Sequence, residues 1–365
     1  MNAPSTETQT STRWCAVPYE PSDLQAVAYF FKRNYVGPGS YGSMDLFHWK
    51  LSANRAGPGI LNLVKDGEKI VSTMSIVPKK VFFSGEETVV AEIGDIYTEP
   101  AYQRKGLFAL LAHRCTEDAM ACGIRFIYGL PNQQALPGWE KRGNFAIMPG
   151  VQIKSLIIPL DIKPLLQRKF HWLVGHYASS LFYTMIWGYF SLRKVFYRPP
   201  SSLTTEEITS IPPEWEEFWK EARTSFDFIL ARDGQTMNWR YFLNPNRYRF
   251  YIVREKQLII GYLVYRIIFD ASVTALVVAD YLSLPGREKD LHVLLFKVLD
   301  DAVMAGVTKI NVWSTANGGY IDAFKDFGFI ERSEIPIIAY RNDYARSLQN
   351  SCRKWHFTVG DSDNV

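Results

Sequence analysis

Apolar residues recur along this chain in a strand-like and a helix-like rhythm, and the same succession of rhythms occurs twice. From Asp45, a segment with Trp49-Lys50 and an Asn-containing break leads into two strand-like runs joined by the charged turn KDGEK. From Gln235, Trp239-Arg240 and a second Asn-containing break lead into two runs joined by REKQ. The parallel continues: GDIYTEP at 94–100 matches ADYLSLP at 279–285, and each introduces an amphipathic helix. In the first helix Leu107, Leu110, Leu111, Cys115, Ala119 and Cys122 form a stripe that stops at Gly123. In the second Leu291, Leu294, Leu295, Val298 and Ala302 form one that stops at Gly306. Strands RFIYGL and KINVW follow, then GWEKRGNF and AFKDFGF. The pattern predicts two αβ domains, at 13–160 and 205–345, each with a mixed sheet flanked by helices. Residues 161–204 read as an aromatic helical insert between them.

Composition narrows the picture. A chain of 365 residues with 47% hydrophobic and 15% aromatic residues has ample material for two packed cores and little room for long disorder. The formal charge of +4 is spread among interspersed acids and bases, so nucleic acid is not an expected partner. Cys15, Cys115, Cys122 and Cys352 have neither metal-ligand spacing nor the look of a disulfide framework. They read as small buried hydrophobes in a reducing compartment, and no metal is expected. Residues 1–12 are polar and lack an apolar signal core; they read as a frayed leader in a cytoplasmic protein. The tail 346–365, ending GDSDNV, reads the same way.

One difference between the copies points to chemistry. The first has AYQRKGLFALL where the second has GREKDLHVLL. Gln103, Arg104, Lys105 and Gly106 precede a helix whose first amide N–H groups lack intrahelical partners and carry partial positive charge. A flexible glycine, two cations and free amides at a strand-to-helix junction suit a bound anion such as a diphosphate. A solvated basic turn is the plainer reading of this stretch alone.

At this point the sequence resembles the GNAT superfamily of acyl-CoA-dependent N-acyltransferases, whose pyrophosphate loop reads Gln/Arg-x-x-Gly-x-Gly/Ala. Gln103-Arg104-Lys105-Gly106-Leu107-Phe108 follows that pattern through Gly106 and departs from it at Phe108. The resemblance covers the first copy, and the second fits the same fold in degenerate form. It implies a tandem GNAT fold with acetyl-CoA, or another acyl-CoA, as co-substrate. It further implies that Ile96, Tyr97 and Thr98 line the pantetheine arm between splayed strands at about 90–98 and 125–130. Gln103 through Phe108 would hold the pyrophosphate, and Asn132 and Trp139 would stand beside the cofactor arm and thioester.

Acyl transfer from a thioester requires a base for the attacking amine, donors for the oxyanion and a proton or donor for the thiolate. Glu92 and Asp95 lie on the strand before the loop. The second copy has Val277 opposite Glu92 but keeps Asp280 opposite Asp95. An acid present only in the copy with the loop points to function, so Glu92 is the expected base, directly or through water, with Asp95 second. Where related enzymes carry a Tyr that protonates the thiolate, this chain has Trp139, which cannot; water, Asn132 or Tyr97 would assist. His48 and His113 read as surface or packing residues. The Gly- and Tyr-rich run 34–49 is placed to form an acceptor wall, or to be a packed connector.

The insert contains FHWLVGHYASSLFYTMIWGYFSL, 170–192, with no charged residue and basic flanks. It reads as a helix or hairpin packed between domains, as an interfacial helix at the inner membrane face, or as a span. The expected function is acyl transfer to an amine, with an amino-sugar nucleotide, lipid-linked sugar or glycolipid precursor of polysaccharide biosynthesis as acceptor class. An aminoacyl-tRNA-dependent peptidyltransferase-like enzyme, a non-catalytic CoA-binding module and a membrane-attached scaffold are the alternatives.

Overall fold

A computed structural model describes residues 14–34, 42–161, 172–197, 199–269, 274–316, 319–351 and 353–362. Residues 35–41 of the 34–49 run, the start of the insert and Cys352 lie outside these residues. The first half contains β1 (Ala16–Pro18), α1 (Leu24–Asn34), α2 (Met44–Phe47), β2 (Ile60–Asp66), β3 (Lys69–Phe83) and β4 (Glu86–Thr98). It continues with α3 (Leu107–Ala121), β5 (Ile127–Gly129), α4 (Leu136–Arg142) and β6 (Phe145–Pro159). Helix α5 (Trp172–Phe196) follows. The second half contains β7 (Leu203–Glu207), α6 (Trp215–Ala222), β8 (Phe228–Leu230), α7 (Gly234–Met237), β9 (Arg249–Glu255), β10 (Leu258–Phe269) and β11 (Thr274–Ser283). It closes with α8 (His292–Met304), β12 (Lys309–Thr315), α9 (Tyr320–Phe327) and β13 (Ile330–Tyr340), and the chain ends through α10 (Asp343–Ser351) and β14 (Trp355–His356).

The fold is a mixed α/β structure on one continuous sheet, with strand order β1-β2-β3-β4-β5-β13-β6-β12-β11-β10-β9-β7. Read from either end, the order is the same once β2 is matched with β9, β3 with β10, β4 with β11, β5 with β12 and β6 with β13. At the centre the halves exchange strands: β13 lies between β5 and β6, and β6 lies between β13 and β12. Neither half therefore completes its sheet from its own stretch of chain. The two Trp-basic dipeptides meet near the middle of this symmetry. Trp49 and Trp239 stack with ring centroids 4.4 Å apart and planes 11° apart. Each indole N–H donates to the other residue's carbonyl, at 2.9 and 3.4 Å.

Helix α3 covers one face of the first half, burying Leu107, Leu111, Cys115 and Ala119 on the strand residues Val71, Met74, Ile76, Ala91 and Ile93. This is the expected stripe, except at its end. Cys122 caps the helix and is exposed, as is Cys15, while Cys115 is buried and its thiol pushed up to about 12 by desolvation. Of these three cysteines only Cys115 is thus a core hydrophobe. His48 and His113 are exposed. Among the described residues no helix is long and apolar enough to cross a membrane, which rules out the span for the described part of the insert.

The described part of the tail is not frayed. Trp355, His356, Phe357, Thr358, Val359, Asp361 and Ser362 are buried. Strand β14 pairs with β8, and β8 with the tip of β3, so residues 355–362 run as a strap beneath the junction of the halves. The tail looked polar because its charges are neutralised by residues far away in sequence: Asp361 meets Arg232 at 2.8 Å, and Arg240 reaches the Gly360 carbonyl and Asp361.

Candidate functional site

Strands β4 and β5 are parallel and pair only at Ala91–Ile127 and Glu92–Tyr128 before they diverge. The divergence has a local cause. Opposite Met74 the register of β4 slips, and Asp95 takes a left-handed conformation with φ 49°. A bulge of this kind bends its strand and aims the following residues away from the neighbour. Gly129 permits the close approach at the apex, since a Cβ there would come within 2.9 Å of the Ile93 side chain. Beyond the apex lies an open cleft of about 480 Å³, lined by Glu92, Ile93, Gly94, Ile96, Tyr97, Phe108, Leu130, Asn132, Trp139 and their neighbours.

Glu92 closes the bottom of this cleft. It is buried rather than exposed on the sheet, and its carboxylate meets Lys79 Nζ at 2.8 Å, each side chain about 3% exposed. Lys79 also donates to the Asp361 carbonyl at 2.9 Å, and the Tyr128 hydroxyl donates to the same oxygen at 3.1 Å. Asp95 is engaged elsewhere. Lys50 Nζ lies 2.6–2.7 Å from its two oxygens, and the Ser75 hydroxyl donates to it at 2.6 Å. That clamp holds the bulge and ties it to the Trp49-Lys50 segment.

At the mouth of the cleft the strand hands over to α3. Gln103, Arg104, Lys105 and Gly106 are exposed, and Gly106 caps the helix with φ 83°. A Cβ on Gly106 would touch nothing within 4 Å, so the glycine is required by its backbone angles and not by crowding. No acidic residue occupies the first turn of α3. Thr98, Gln103, Arg104, Gly106, Leu107 and Phe108 surround a small hollow of about 110 Å³, to which Arg142 of α4 adds a second cation beside Arg104. Phe108 does not plug this hollow. It turns toward α4 and meets Trp139 edge-on, centroids 4.8 Å apart, so that it forms part of the wall of both cavities. The two departures from the family pattern, Phe108 and Trp139, are therefore in contact and fill one space together.

Trp139 is buried and also packs edge-on against Phe145. Asn132 accepts the Ala135 N–H on Oδ1 at 2.8 Å, which makes it the start of the turn into α4. With Oδ1 taken, the amide Nδ2 is the edge that can serve as a donor in the cleft it lines. Tyr97 lines the same cleft and rests against Phe30 at 5.7 Å.

The corresponding place in the second half is closed. There the Tyr281 hydroxyl bridges from β11 to the Trp313 carbonyl of β12 at 2.8 Å. The Tyr281 N–H is taken by Asp280, the Ser283 N–H by the Tyr320 hydroxyl, and the Tyr281 carbonyl lies 3.1 Å from Nε2 of His356 on the strap. The backbone edge that stays open in the first half is thus consumed in the second by the chain's own side chains.

His356 provides a test of that plug. It is fully buried among Phe226, Tyr281 and Tyr320, and desolvation lowers its pKa from 6.5 to about 3. As pH falls below 6.5 the unfolded imidazole takes up a proton that the folded one refuses until about 3. Stability is then lost across this window at up to about 1.4 kcal/mol per pH unit from this group alone. Urea midpoints at pH 6.5 and 4.5 should converge in His356→Gln relative to the parent; an unchanged difference would refute the burial of a neutral imidazole.

Lys79, Tyr128, Arg142 and Asp361 are site residues that the sequence did not single out. The signal available for Lys79 was its place in VPKKVFF, a lysine at an inward-facing position of an apolar strand, legible only once the register is known. Among the described residues no cluster of His, Cys, Asp and Glu suits a metal ion.

The family model described as "Acetyltransferase (GNAT) domain" matches residues 17–145. No curated protein matches the sequence. The fold is similar to that of a GCN5-related N-acetyltransferase from Anabaena variabilis, at 13% identity and TM-score 0.58, over 90% of this chain and 72% of that one. It is also similar to the N-myristoyltransferase of Saccharomyces cerevisiae with bound myristoyl-CoA, at 14% identity and TM-score 0.60, over 90% of this chain and 82% of that one. A GCN5-related N-acetyltransferase from Kribbella flavida aligns at 10% identity and TM-score 0.53, over 89% of this chain and 70% of that one. At these identities the likeness to the solved structures is one of fold.

Proposed function

We propose that residues 17–145, which match the GNAT acetyltransferase domain model, form an acyltransferase domain, and that this first half transfers a short acyl group, acetyl in the first place, from acyl-CoA to an amine. The observation that carries this reading is the asymmetry of the two clefts: the first opens onto a cationic, glycine-capped helix start, while the second is filled. In this reading the open edge of β4 at Ile96, Tyr97 and Thr98 pairs with the pantetheine arm. The amides at the start of α3, with Gln103, Arg104, Lys105 and Arg142, hold the pyrophosphate. Leu107 and Phe108 shape the wall.

The amine nitrogen attacks the thioester carbonyl at the cleft floor, and its proton passes to Glu92, directly or through a water. Lys79 holds the Glu92 carboxylate in place at the cleft floor through their ion pair. Asn132 Nδ2 or the Tyr97 hydroxyl supports the departing thiolate, since the Trp139 indole cannot supply a proton. Asp95 we assign to holding the bulge, on the strength of its clamp by Lys50 and Ser75. A short acyl group suits the floor, because a long chain would have to displace a buried ion pair and Tyr128. We place the reaction in the cytoplasm, with an amino-sugar nucleotide or lipid-linked amino sugar as acceptor class.

The test is mass spectrometry of a panel of amines and amino-sugar nucleotides incubated with acetyl-CoA. The gain of one acetyl group on any member supports the proposal; no gain with any acyl-CoA refutes it. The loop has its own test. Gly106→Val forces a β-branched residue into left-handed geometry at about 1–2 kcal/mol, so calorimetry should show acetyl-CoA binding weakened about tenfold. Unchanged binding would remove the loop from the cofactor site.

A further inference from the structure

Helix α5 has an apolar face that the rest of the molecule leaves uncovered. Phe190 is buried against Phe327 of α9, Ile186 packs into the second-half core, and Tyr197 just beyond the helix rests on Phe296 of α8. That side fixes the helix to the fold. On the other side Leu181, Met185, Tyr189, Leu192, Val195 and Phe196 are between 46% and 78% exposed. At the rotation of an α-helix these six fall within an arc of about 120°, which between Leu181 and Phe196 holds only Gly188 besides them. Scattered apolar residues on a surface are ordinary, but a continuous stripe opposite a docked face is not.

The charge of the insert's sequence indicates what covers it. Residues 162–205 contain Lys163, Arg168, Lys169, Arg193, Lys194 and Arg198 and no Asp or Glu, which exceeds the +4 of the whole chain; in the described helix Arg193 flanks the stripe, while Lys194 is paired with Asp300. A second copy laid stripe to stripe would bring cation against cation. An anionic bilayer would receive the apolar side chains at its headgroup boundary and the cations at its phosphates. Among the described residues no helix is long and apolar enough to cross a membrane, and a one-sided apolar stripe suits a helix lying in the surface plane. We propose that the exposed face of α5, from Leu181 to Phe196, docks the protein onto an anionic membrane surface. The proposal stands apart from the acyl-transfer reading, because it concerns a different face and needs no catalysis.

The test is flotation of the full chain with vesicles of phosphatidylcholine alone and of phosphatidylcholine mixed with phosphatidylglycerol. The protein should float with the mixed vesicles, much less with the neutral ones, and less as salt is raised. Leu192→Glu with Phe196→Glu should cut partitioning about tenfold or more. Both side chains are mostly exposed, so an unchanged melting temperature will certify the fold; should it fall, Val195→Glu serves instead. Failure to float with anionic vesicles, or equal flotation of the substituted protein, overturns the proposal. So does a dimer in sedimentation equilibrium that the same substitutions dissolve while flotation is absent, which would assign the stripe to a second copy.

Discussion

Glu92→Gln is expected to lower turnover by about 10²–10⁴-fold, the usual worth of a positioned general base, while acetyl-CoA still binds. The substitution keeps the shape of the side chain and removes the charge proposed to accept the amine's proton. It also leaves Lys79 buried without its counter-ion, since the two groups meet at 2.8 Å. Unfolding experiments should therefore show a loss of stability as well, and that loss must be separated from the loss of chemistry. Lys79→Met on the Glu92→Gln background removes the orphaned charge and should recover stability without recovering turnover. The measurement is single-turnover transfer beside calorimetric acetyl-CoA affinity. Full turnover in Glu92→Gln would eliminate Glu92 as the base; loss of cofactor binding with the fold intact would recast it as a wall of the cleft.

How far the sequence foretold this site depends on the range of the interactions. The helix α3 stripe, the strand before it and the glycine-capped loop are set by neighbours within a few residues, and their patterns were legible at Leu107, Leu111, Cys115 and Gly106. The symmetry of the sheet was foreshadowed by the two Trp-basic dipeptides, but their stacking across 190 residues was not. Exchange of β6 and β13 was likewise invisible. Each strand has the same alternation whichever half it completes, and only the relative position of the halves decides its partner. The tail was misread for a related reason. GDSDNV is polar by composition, yet Asp361 is buried because Arg232, Arg240, Lys79 and Tyr128 converge on its side chain and carbonyl. Burial of a charge is a property of its partners, and partners 120 or more residues away leave no local signal.

That convergence makes Arg232 the residue whose loss should cost the fold most. Its guanidinium reaches Asp280 at 3.0 Å and Asp361 at 2.8 Å and donates to the Leu230 carbonyl at 2.7 Å, with about 2% of the side chain exposed. Burial raises the Asp280 carboxyl, and the charge of nearby Asp361 adds to this. Burial acts the same way on Asp361, but there Arg232 and Arg240 outweigh it and hold the group below the usual range. One cation thus keeps two buried acids compatible. In Arg232→Met both remain, facing each other, and the expected cost is about 3–5 kcal/mol. Asp280→Asn with Asp361→Asn on the same background removes the repulsion and should recover a large part of it. The consequence for the site follows from the strap. If Asp361 shifts, the carbonyl that holds Lys79 and Tyr128 shifts with it, and Lys79 is the partner of Glu92. Among molecules that remain folded, Arg232→Met should turn over more slowly while its acetyl-CoA affinity stays within about twofold, because the loop proposed to hold the pyrophosphate lies at the mouth of the cleft, away from its floor. A midpoint in urea unchanged by Arg232→Met would show that the acids are not buried as a cluster. A parallel loss of cofactor affinity would show that the strap supports the whole cleft and not its floor alone.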